Sequence, residues 1–167
     1  GDDRAAAAAW RDAALEADAD WIAPLEAGVH LAPHALAAVV LSLRPHTQVI
    51  YADHDTLDTR GRRCGPVFKG DFDPEFLLAV NSLLPLVLFR RDVLRAALAG
   101  PDGFEPRPPA TALGQLWHAL ALRATEHAPA DAVRHVPHVL AHVPVGSRPA
   151  AVPNGSTAAP WSRKRRK

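Results

Sequence analysis

The spacing of apolar residues along the chain predicts alternating helices and short strands. Intervals of three and four residues predict helices over residues 5–17, 33–43, 90–99 and 112–125. Short apolar runs predict buried strands over residues 21–28, 47–52, 83–89 and 132–143. A short helix or turn is expected over residues 74–81, and the proline- and glycine-rich residues 101–109 indicate a loop. With 167 residues, 48% of them hydrophobic, the chain is long enough for one domain with its own core.

The same pattern predicts which side chains enter the core. Four apolar side chains share one side of the helix over residues 33–43 and are expected to be buried there: Leu36, Val39, Val40 and Leu43. Phe76 and Leu77 are both expected to point inward. Pro85 implies an edge or a bulge in its strand, because proline cannot donate to the ladder. Pro137 interrupts the last strand, which is therefore expected to be either a strand or a hairpin.

The densest polar segment of the chain lies between residues 51 and 73, directly after an apolar run. Asp53 and Asp55 are therefore expected at the end of a buried strand, where open α/β sheets place their ligands. Two carboxylates at this spacing can share a cation or hold sugar hydroxyls. An Asp-Thr-Arg-Gly run of turn composition follows. The chain is expected to double back there and to bring Lys69 and Asp71 close to the two aspartates.

Charge is unevenly distributed along the chain. The net charge of +1 and the charged fraction of 22% argue against disorder throughout and against a general polyanion binder, so nucleic acid is not an expected partner. Five of the nineteen basic residues lie at residues 163–167, which leaves fourteen basic against eighteen acidic residues and a net charge of −4 elsewhere. The basic end is expected either to be solvated or to rest on an anionic membrane surface.

Cysteine and methionine usage indicate the cellular compartment of the chain and its relation to a longer polypeptide. Cys64 is the one cysteine, which excludes an internal disulfide and fits a reducing compartment. No methionine is present, and a helix is expected to be under way by Ala5, so we expect a piece of a longer polypeptide. No secretory signal opens the sequence, and the apolar run at residues 83–89 is far shorter than the roughly 20 residues that span a bilayer. These features predict a cytoplasmic location, either free or peripheral at the inner membrane.

The polar segment also resembles a known family. The order Tyr-x-Asp-x-Asp, Asp-x-x-Gly-x-Arg and Pro-x-Phe-Lys-x-Asp-x-x-Pro-Glu is similar to the middle of the family 2 glycosyltransferases, particularly bacterial enzymes that build surface polysaccharide and O-antigen. The match runs through Tyr51, Asp53, Asp55, Asp58, Gly61, Arg63, Pro66, Phe68, Lys69, Asp71, Pro74, Leu77 and Asn81. His54, Gly70 and Phe72 depart from the family's usual glutamate, proline and tryptophan. The His-Val-Pro-x-Val-Leu-x-His run at residues 135–142 matches a second family signature.

The resemblance implies a fold and a domain organisation. The fold would be α/β, an incomplete GT-A-like sandwich with a mixed, mainly parallel sheet flanked by helices. Residues 1–145 would form the partial glycosyltransferase-like domain, and residues 146–167 a flexible tail rich in proline, alanine and serine with a basic end. The units that grip the nucleotide in this family would precede Gly1.

The resemblance also implies a site. The substrate-binding residues would be Asp53, Asp55, Lys69, Asp71 and His142. Glu26 stands where the family's metal-binding Asp-x-Asp begins and is the candidate ligand for Mn²⁺ or Mg²⁺, although glycine or valine occupies the position of the second acid. The family's acids on the helix near residue 120, one of them the general base, would fall at Trp117 and Ala119, neither of which accepts a proton. His118 lies between them and is the candidate substitute base.

Three histidines near the end of the chain suggest an alternative site. His135, His138 and His142 invite a zinc reading. Alternation along a strand separates odd from even side chains, and no cysteine or acidic partner is expected close by, so zinc is disfavoured.

Two functions from different classes remain open. In the first, the chain is part of a glycosyltransferase that moves a sugar from a nucleotide-sugar donor to a glycan acceptor in surface polysaccharide synthesis. In the second, it is a catalytically inactive scaffold or sugar-recognition module of a larger protein. The weakened Asp-x-Asp and the missing helix acids favour the second function for this chain taken alone.

Overall fold

The computed structural model describes residues 2–99 and 113–146. The helices are α1 (Asp2–Glu16), α2 (Ala35–Ser42), α3 (Pro74–Ala79), α4 (Arg91–Leu98) and α5 (Leu113–Thr125). The strands are β1 (Trp21–Ile22), β2 (His30–Leu31), β3 (Val49–Leu57), β4 (Arg63–Val67), β5 (Val87–Arg90) and β6 (Val133–Pro144), the last preceded by a 3₁₀ turn at Ala130–Ala132. Among the described helices none is long and apolar enough to cross a membrane. The predicted loop at residues 101–109 and the predicted tail from residue 147 onward lie outside the described residues.

All six strands belong to one curled sheet flanked by helices. The strand order is β1-β5-β3-β6-β2, with β4 paired to β3 beside this path. The predicted mixed α/β architecture is confirmed, but fewer of its strand pairs are parallel than predicted. Of the pairings between described strands, only β3–β6 is parallel, and it is the longest. Parallel neighbours need a long crossover such as the one through α4 and α5, whereas the short turn between β3 and β4 permits only an antiparallel pair.

Strand β3 is the centre of two cores, one on each face of the sheet. Val49 and Tyr51 belong to the larger cluster, under α1, α4 and α5. Ile50 and Ala52 belong to the smaller cluster, which includes residues of α2. Because the strand is covered on both faces, its first residues form the continuous apolar run that predicted it.

The predicted strands differ from the observed ones mainly at their ends. The strand predicted over residues 21–28 is only β1, and Leu25 beyond it is exposed. The strand predicted to end at residue 52 continues to Leu57, because β4 and β6 pair with its polar half. The strand predicted over residues 83–89 begins only at Val87, after the cis peptide bond between Leu84 and Pro85.

Pro137 does not split the last strand into a hairpin. β6 runs through it as one strand, and its register against β3 shifts there, with Val136 opposite Ala52 and Val139 opposite Asp53. A proline lacks the N–H that a regular ladder position requires, so extra residues are accommodated at this point.

Some side chains predicted to be buried are exposed. Val39 is buried as predicted, but Leu36 is 60% exposed and Val40 63% exposed. Leu77 is buried, whereas Phe76 is 53% exposed. Successive helical residues are about 100° apart, so the short helices each bury only one narrow side, α2 against β6 and α3 against α5.

The predicted turn after β3 is confirmed in detail. The Asp58 carboxylate accepts hydrogen bonds from the backbone N–H groups of Arg60 (2.8 Å) and Arg62 (2.9 Å). Gly61 has a φ of 73°, a left-handed conformation that favours glycine. The turn reverses the chain and places Arg63 at the start of β4, opposite Leu57.

Candidate functional site

A polar cluster lies along the parallel strands β3 and β6, on β4 and on the segment after β4. We call it the Asp–His cluster, and it consists of Tyr51, Asp53, Asp55, Arg63, Lys69, His135 and His142. Because β3 and β6 are paired along their length, the polar residues of the two strands lie side by side in the sheet. Along β3, the larger apolar core around Val49 is thus followed by paired polar groups.

Asp53 connects three parts of the cluster although it lies inside β3 and is only 2% exposed. Its Oδ1 accepts a hydrogen bond from the backbone N–H of Lys69 (2.8 Å). The same oxygen lies 2.7 Å from Nε2 of His135 on β6. The ring of His135 is stacked on that of Tyr51, with centroids 5.1 Å apart. Asp53 therefore holds the segment after β4 against the β3–β6 pair.

Asp55 forms a second, similar connection and is 3% exposed. Its Oδ2 accepts a hydrogen bond from Nε of Arg63 (2.6 Å), and its Oδ1 lies 2.5 Å from Nδ1 of His142. Burial alone would raise the pKa of Asp55, but the hydrogen bonds and charges of Arg63 and His142 outweigh it and hold that pKa below 3.8.

Lys69 is half-buried, with its ammonium group against backbone carbonyls. Nζ donates to the carbonyl oxygens of Leu83 (2.9 Å) and Leu84 (2.7 Å) and lies 5.7 Å from the centroid of the Tyr51 ring. Burial lowers the pKa of Lys69 from 10.5 to about 7, and the charge of Asp53 acts in the opposite direction. The side chain therefore anchors the segment after β4 to the start of the β5 region.

Tyr51 fixes the same segment one residue further on. Its hydroxyl donates to the carbonyl oxygen of Gly70 (2.7 Å). Burial, together with the charges of Asp71 and Asp53, raises the pKa of Tyr51 far above its ordinary value of 10. The tyrosine is thus a neutral hydrogen-bond donor throughout the physiological range.

His54 lies between the two aspartates along β3 and is kept neutral. Burial and the charge of Lys69 lower its pKa to about 4, although Asp53 and Asp55 act to raise it. Its Nδ1 is buried and has no hydrogen-bond partner among the described residues. A neutral ring therefore lies between the two carboxylates along β3.

The structure brings together four of the residues predicted for substrate binding: Asp53, Asp55, Lys69 and His142. Asp71 is exposed beside them, close enough for its charge to act on Tyr51. The polar groups of the two buried aspartates are already bonded within the chain, so Asp71 is the predicted carboxylate that solvent reaches directly.

The predicted metal ligand and the predicted base belong to other elements. Glu26 lies between β1 and β2 in a turn whose Gly28 has a φ of 88°. Residues 2–99 and 113–146 contain no group of three histidine, cysteine, aspartate or glutamate side chains that could hold a metal ion. The metal thus stays a prediction that rests on Glu26 alone. On α5, Nε2 of His118 lies 2.5 Å from the carbonyl oxygen of Leu77.

Sequence reasoning missed three members of the cluster, Tyr51, Arg63 and His135. Tyr51 and Arg63 were considered only as parts of a motif, and His135 only as part of a motif and as a zinc ligand. The His-x-Pro run at residues 135–137 gives no local sign of its partner, because the register shift in β6 decides which strand residues face each other. For Arg63 the sign was present, since a tight turn after Asp58 returns the chain alongside Asp55.

We expect Asp55→Asn to lower the free energy of unfolding by about 2 kcal/mol at pH 7, because the charged hydrogen bonds to Arg63 and His142 are weakened. The pKa of Asp55 is lowered in the folded chain, so its contribution is complete above the ordinary value of 3.8 and disappears as the pH falls through the folded value. Urea unfolding at pH 7 and near pH 3 measures both effects. Asp12→Asn, at an exposed position, is the control, and an equal difference at both pH values would contradict the assignment.

Fold and site together define an α/β domain consistent with an incomplete GT-A-like sandwich, with a polar cluster along its parallel strand pair. No family model matches the chain. The chain is 32% identical to the O-antigen biosynthesis protein RfbC of Myxococcus xanthus over 134 residues, which is 79% of this chain and 10% of that protein. It is 30% identical to an uncharacterized protein, y4gI, of Sinorhizobium fredii over 122 residues, which is 72% of this chain and 12% of that protein. The chain thus spans about a tenth of the length of these curated relatives.

Proposed function

We propose that this chain is a family 2 glycosyltransferase-like domain of a longer protein that acts in surface polysaccharide synthesis. The full protein would transfer a sugar from a nucleotide-sugar donor to a glycan acceptor, and this domain would contribute the acceptor side of the site. The similarity to an O-antigen biosynthesis protein supports the pathway. The observation that carries the proposal is the Asp–His cluster, because it joins both resemblance segments, residues 51–81 and 135–142, along the β3–β6 pair.

The Asp–His cluster holds a neighbouring binding surface in place and does not itself form that surface. Asp53 and Asp55 are buried and bonded within the chain, so they fix the segment after β4. That segment presents Phe68 and Asp71 to solvent. A carboxylate accepts hydrogen bonds from sugar hydroxyls, and a phenyl ring covers the apolar face of a sugar ring. A rigid support beneath these groups reduces the entropy lost when a glycan binds.

A specific observation favours a second candidate, a sugar-recognition module without catalysis. Trp117, at a position where the family has an acid, is buried and lies edge-on to Trp10 with centroids 4.3 Å apart. Ala119 is exposed and has no proton-accepting group. His118 is engaged with the carbonyl of Leu77. In this alternative, a second domain of the parent protein would carry out the transfer.

Calorimetric titration of the purified chain tests both candidates. We expect oligosaccharides from bacterial surface polysaccharides to bind without added metal, and Asp71→Ala to weaken that binding about tenfold through lost hydrogen bonds. Asp12→Ala, also at an exposed acid, is the matched control and should bind unchanged. Uridine, guanosine and thymidine diphosphates with Mn²⁺ test the donor side.

The outcomes separate the candidates. Saturable, metal-dependent nucleotide binding that Glu26→Ala abolishes would favour the transferase. Glycan binding with no nucleotide binding at millimolar concentration would favour the recognition module. If neither ligand class binds while circular dichroism reports a folded chain, both proposals fail for this domain.

A further inference from the structure

A row of polar side chains crosses four strands on one face of the sheet. It runs from Arg63 on β4 through Asp55 on β3 and His142 on β6 to His30 on β2. Asp55 and His142 are register partners in the parallel pair, and His142 and His30 are register partners in the antiparallel pair. Residues directly opposite each other on neighbouring strands share a face, so His30 lies beside His142 on the face that carries Asp55.

Asp55 holds two members of this row in fixed positions. Nε of Arg63 donates to its Oδ2 (2.6 Å), and Nδ1 of His142 lies 2.5 Å from its Oδ1. Because both bonds end on one carboxylate, Arg63 and His142 lie side by side. Asp55 itself is 3% exposed and both of its oxygens are engaged, so a ligand would meet the two bonded side chains and not the carboxylate.

Arg63 and His142 both keep nitrogen atoms that a ligand can reach. The side chain of Arg63 is 58% exposed, and its two Nη groups have no hydrogen-bond partner among the described residues. Nε2 of His142 has no partner in the described part of the chain either, and it is not one of the buried unpartnered atoms, so solvent reaches it. The two Nη groups of a guanidinium form a fork that fits two oxygens of a carboxylate or phosphate. A protonated imidazole that is bonded through Nδ1 donates from Nε2.

We propose that Arg63 and His142, with His30 beside them, form a binding site for an oxyanion. The ligand would carry this group as a phosphate, as in a sugar diphosphate, or as the carboxylate of an acidic sugar. Asp55 orients both donors before the ligand arrives, which reduces the entropy lost on binding. The site does not rest on the proposed function, because small anions are sufficient to test it.

The neighbouring Arg62 lacks these features. It bonds Asp58 through both Nε and Nη2 (2.8 Å each), so its fork is already partly occupied. Its side chain is 70% exposed, and no histidine bonds the same carboxylate. Arg62 is therefore a matched control for Arg63 on the same turn.

Calorimetric titration of the full chain with inorganic pyrophosphate and, separately, with glucuronate tests the proposal. Because the basic end could bind anions by itself, all proteins carry glutamine in place of the five basic residues at 163–167. We expect saturable binding of at least one of the two anions, with a dissociation constant on the order of 1 mM. Binding of pyrophosphate alone would assign the site to phosphate groups, and binding of glucuronate alone to acidic sugars.

Conservative variants locate the site. Arg63→Lys keeps a cation beside Asp55 but loses the fork, and should weaken anion binding at least roughly tenfold. His142→Asn keeps a donor near Asp55 but removes the outer ring nitrogen, and should weaken binding about threefold. Arg62→Lys should bind unchanged. Circular dichroism checks that each variant is folded.

Two results would overturn the proposal. In the first, neither anion binds to the folded chain. In the second, Arg62→Lys and Arg63→Lys weaken binding equally, which would indicate diffuse surface charge and no defined site. The glycan titration described above keeps the two proposals apart. Anion binding without glycan binding would support the oxyanion site and not the proposed function, whereas glycan binding without anion binding would do the reverse.

Discussion

Replacement of Asp53 by alanine is expected to lower the free energy of unfolding by about 3 kcal/mol, one of the two largest effects in the cluster. The carboxylate is nearly inaccessible and bonds both the backbone N–H of Lys69 and the ring of His135. Removal leaves both groups buried without their partner. It also removes the negative charge that offsets the desolvation of the Lys69 ammonium. Urea unfolding monitored by tryptophan fluorescence measures the loss.

Two further variants identify the cause of this loss of stability. Asp53→Asn keeps an oxygen acceptor and loses only the charge, so about half of the effect is expected. Asp71→Ala, at the exposed neighbouring carboxylate, should change stability by less than about 0.5 kcal/mol. If the alanine variants of Asp53 and Asp71 were equally stable, Asp53 would be a peripheral side chain and the structural account of the cluster would be wrong.

Local signals in the sequence predicted most of the elements. α5 was predicted because Leu116, Leu120 and Ala124 repeat at intervals of four, and all three are buried. The turn after β3 was predicted from Asp58 and Gly61, whose side-chain acceptor and backbone conformation act within the turn itself. Elements of this kind need no information from distant parts of the chain.

The burial of short helices was harder to predict. For α2 the pattern marked Leu36, Val39, Val40 and Leu43 as one buried group, yet only Val39 is buried and Leu43 partly buried against the smaller core, while the other two are exposed. The sequence shows that an apolar residue favours burial, but it does not show which neighbouring element buries that residue. A helix with more apolar residues than its contact with the sheet can cover therefore misleads a reading of sequence alone.

In the candidate site, too, the residues with a local sequence signal were predicted, and their distant partners were not. Asp53 and Asp55 were predicted at a strand end, facing a ligand, because buried strands are expected to be apolar. They lie inside β3, where His135 and His142 of β6 and Arg63 of β4 bond them. A buried carboxylate is tolerated only with such partners. The partners are 82 and 87 residues away for the two histidines, and the register of β6 that selects them has no local signal.

The second large effect concerns the pH dependence conferred by Lys69. Its pKa is about 7 in the folded chain, below the ordinary value of 10.5. Between these values the unfolded chain binds more protons at this group, so stability rises as the pH rises. Below pH 7 the amine is protonated in both states, and the cost of burying its charge is fully present. A neutral amine still donates to the carbonyls of Leu83 and Leu84, so those contacts persist.

Lys69→Met tests this coupling, because methionine fills the space without a titrating group. Relative to this variant, the natural chain should gain about 3 kcal/mol in unfolding free energy between pH 7 and pH 9.5. The range stops below pH 10 because the raised pKa of Tyr51 makes stability fall once unfolded tyrosine ionises. Tyr51→Phe removes that second group and should leave the gain below pH 9.5 in place. If the unfolding free energies of the natural chain and of Lys69→Met changed equally with pH, the ammonium would be solvated. Lys69 would then not anchor the segment carrying Asp71 in the way its contacts indicate.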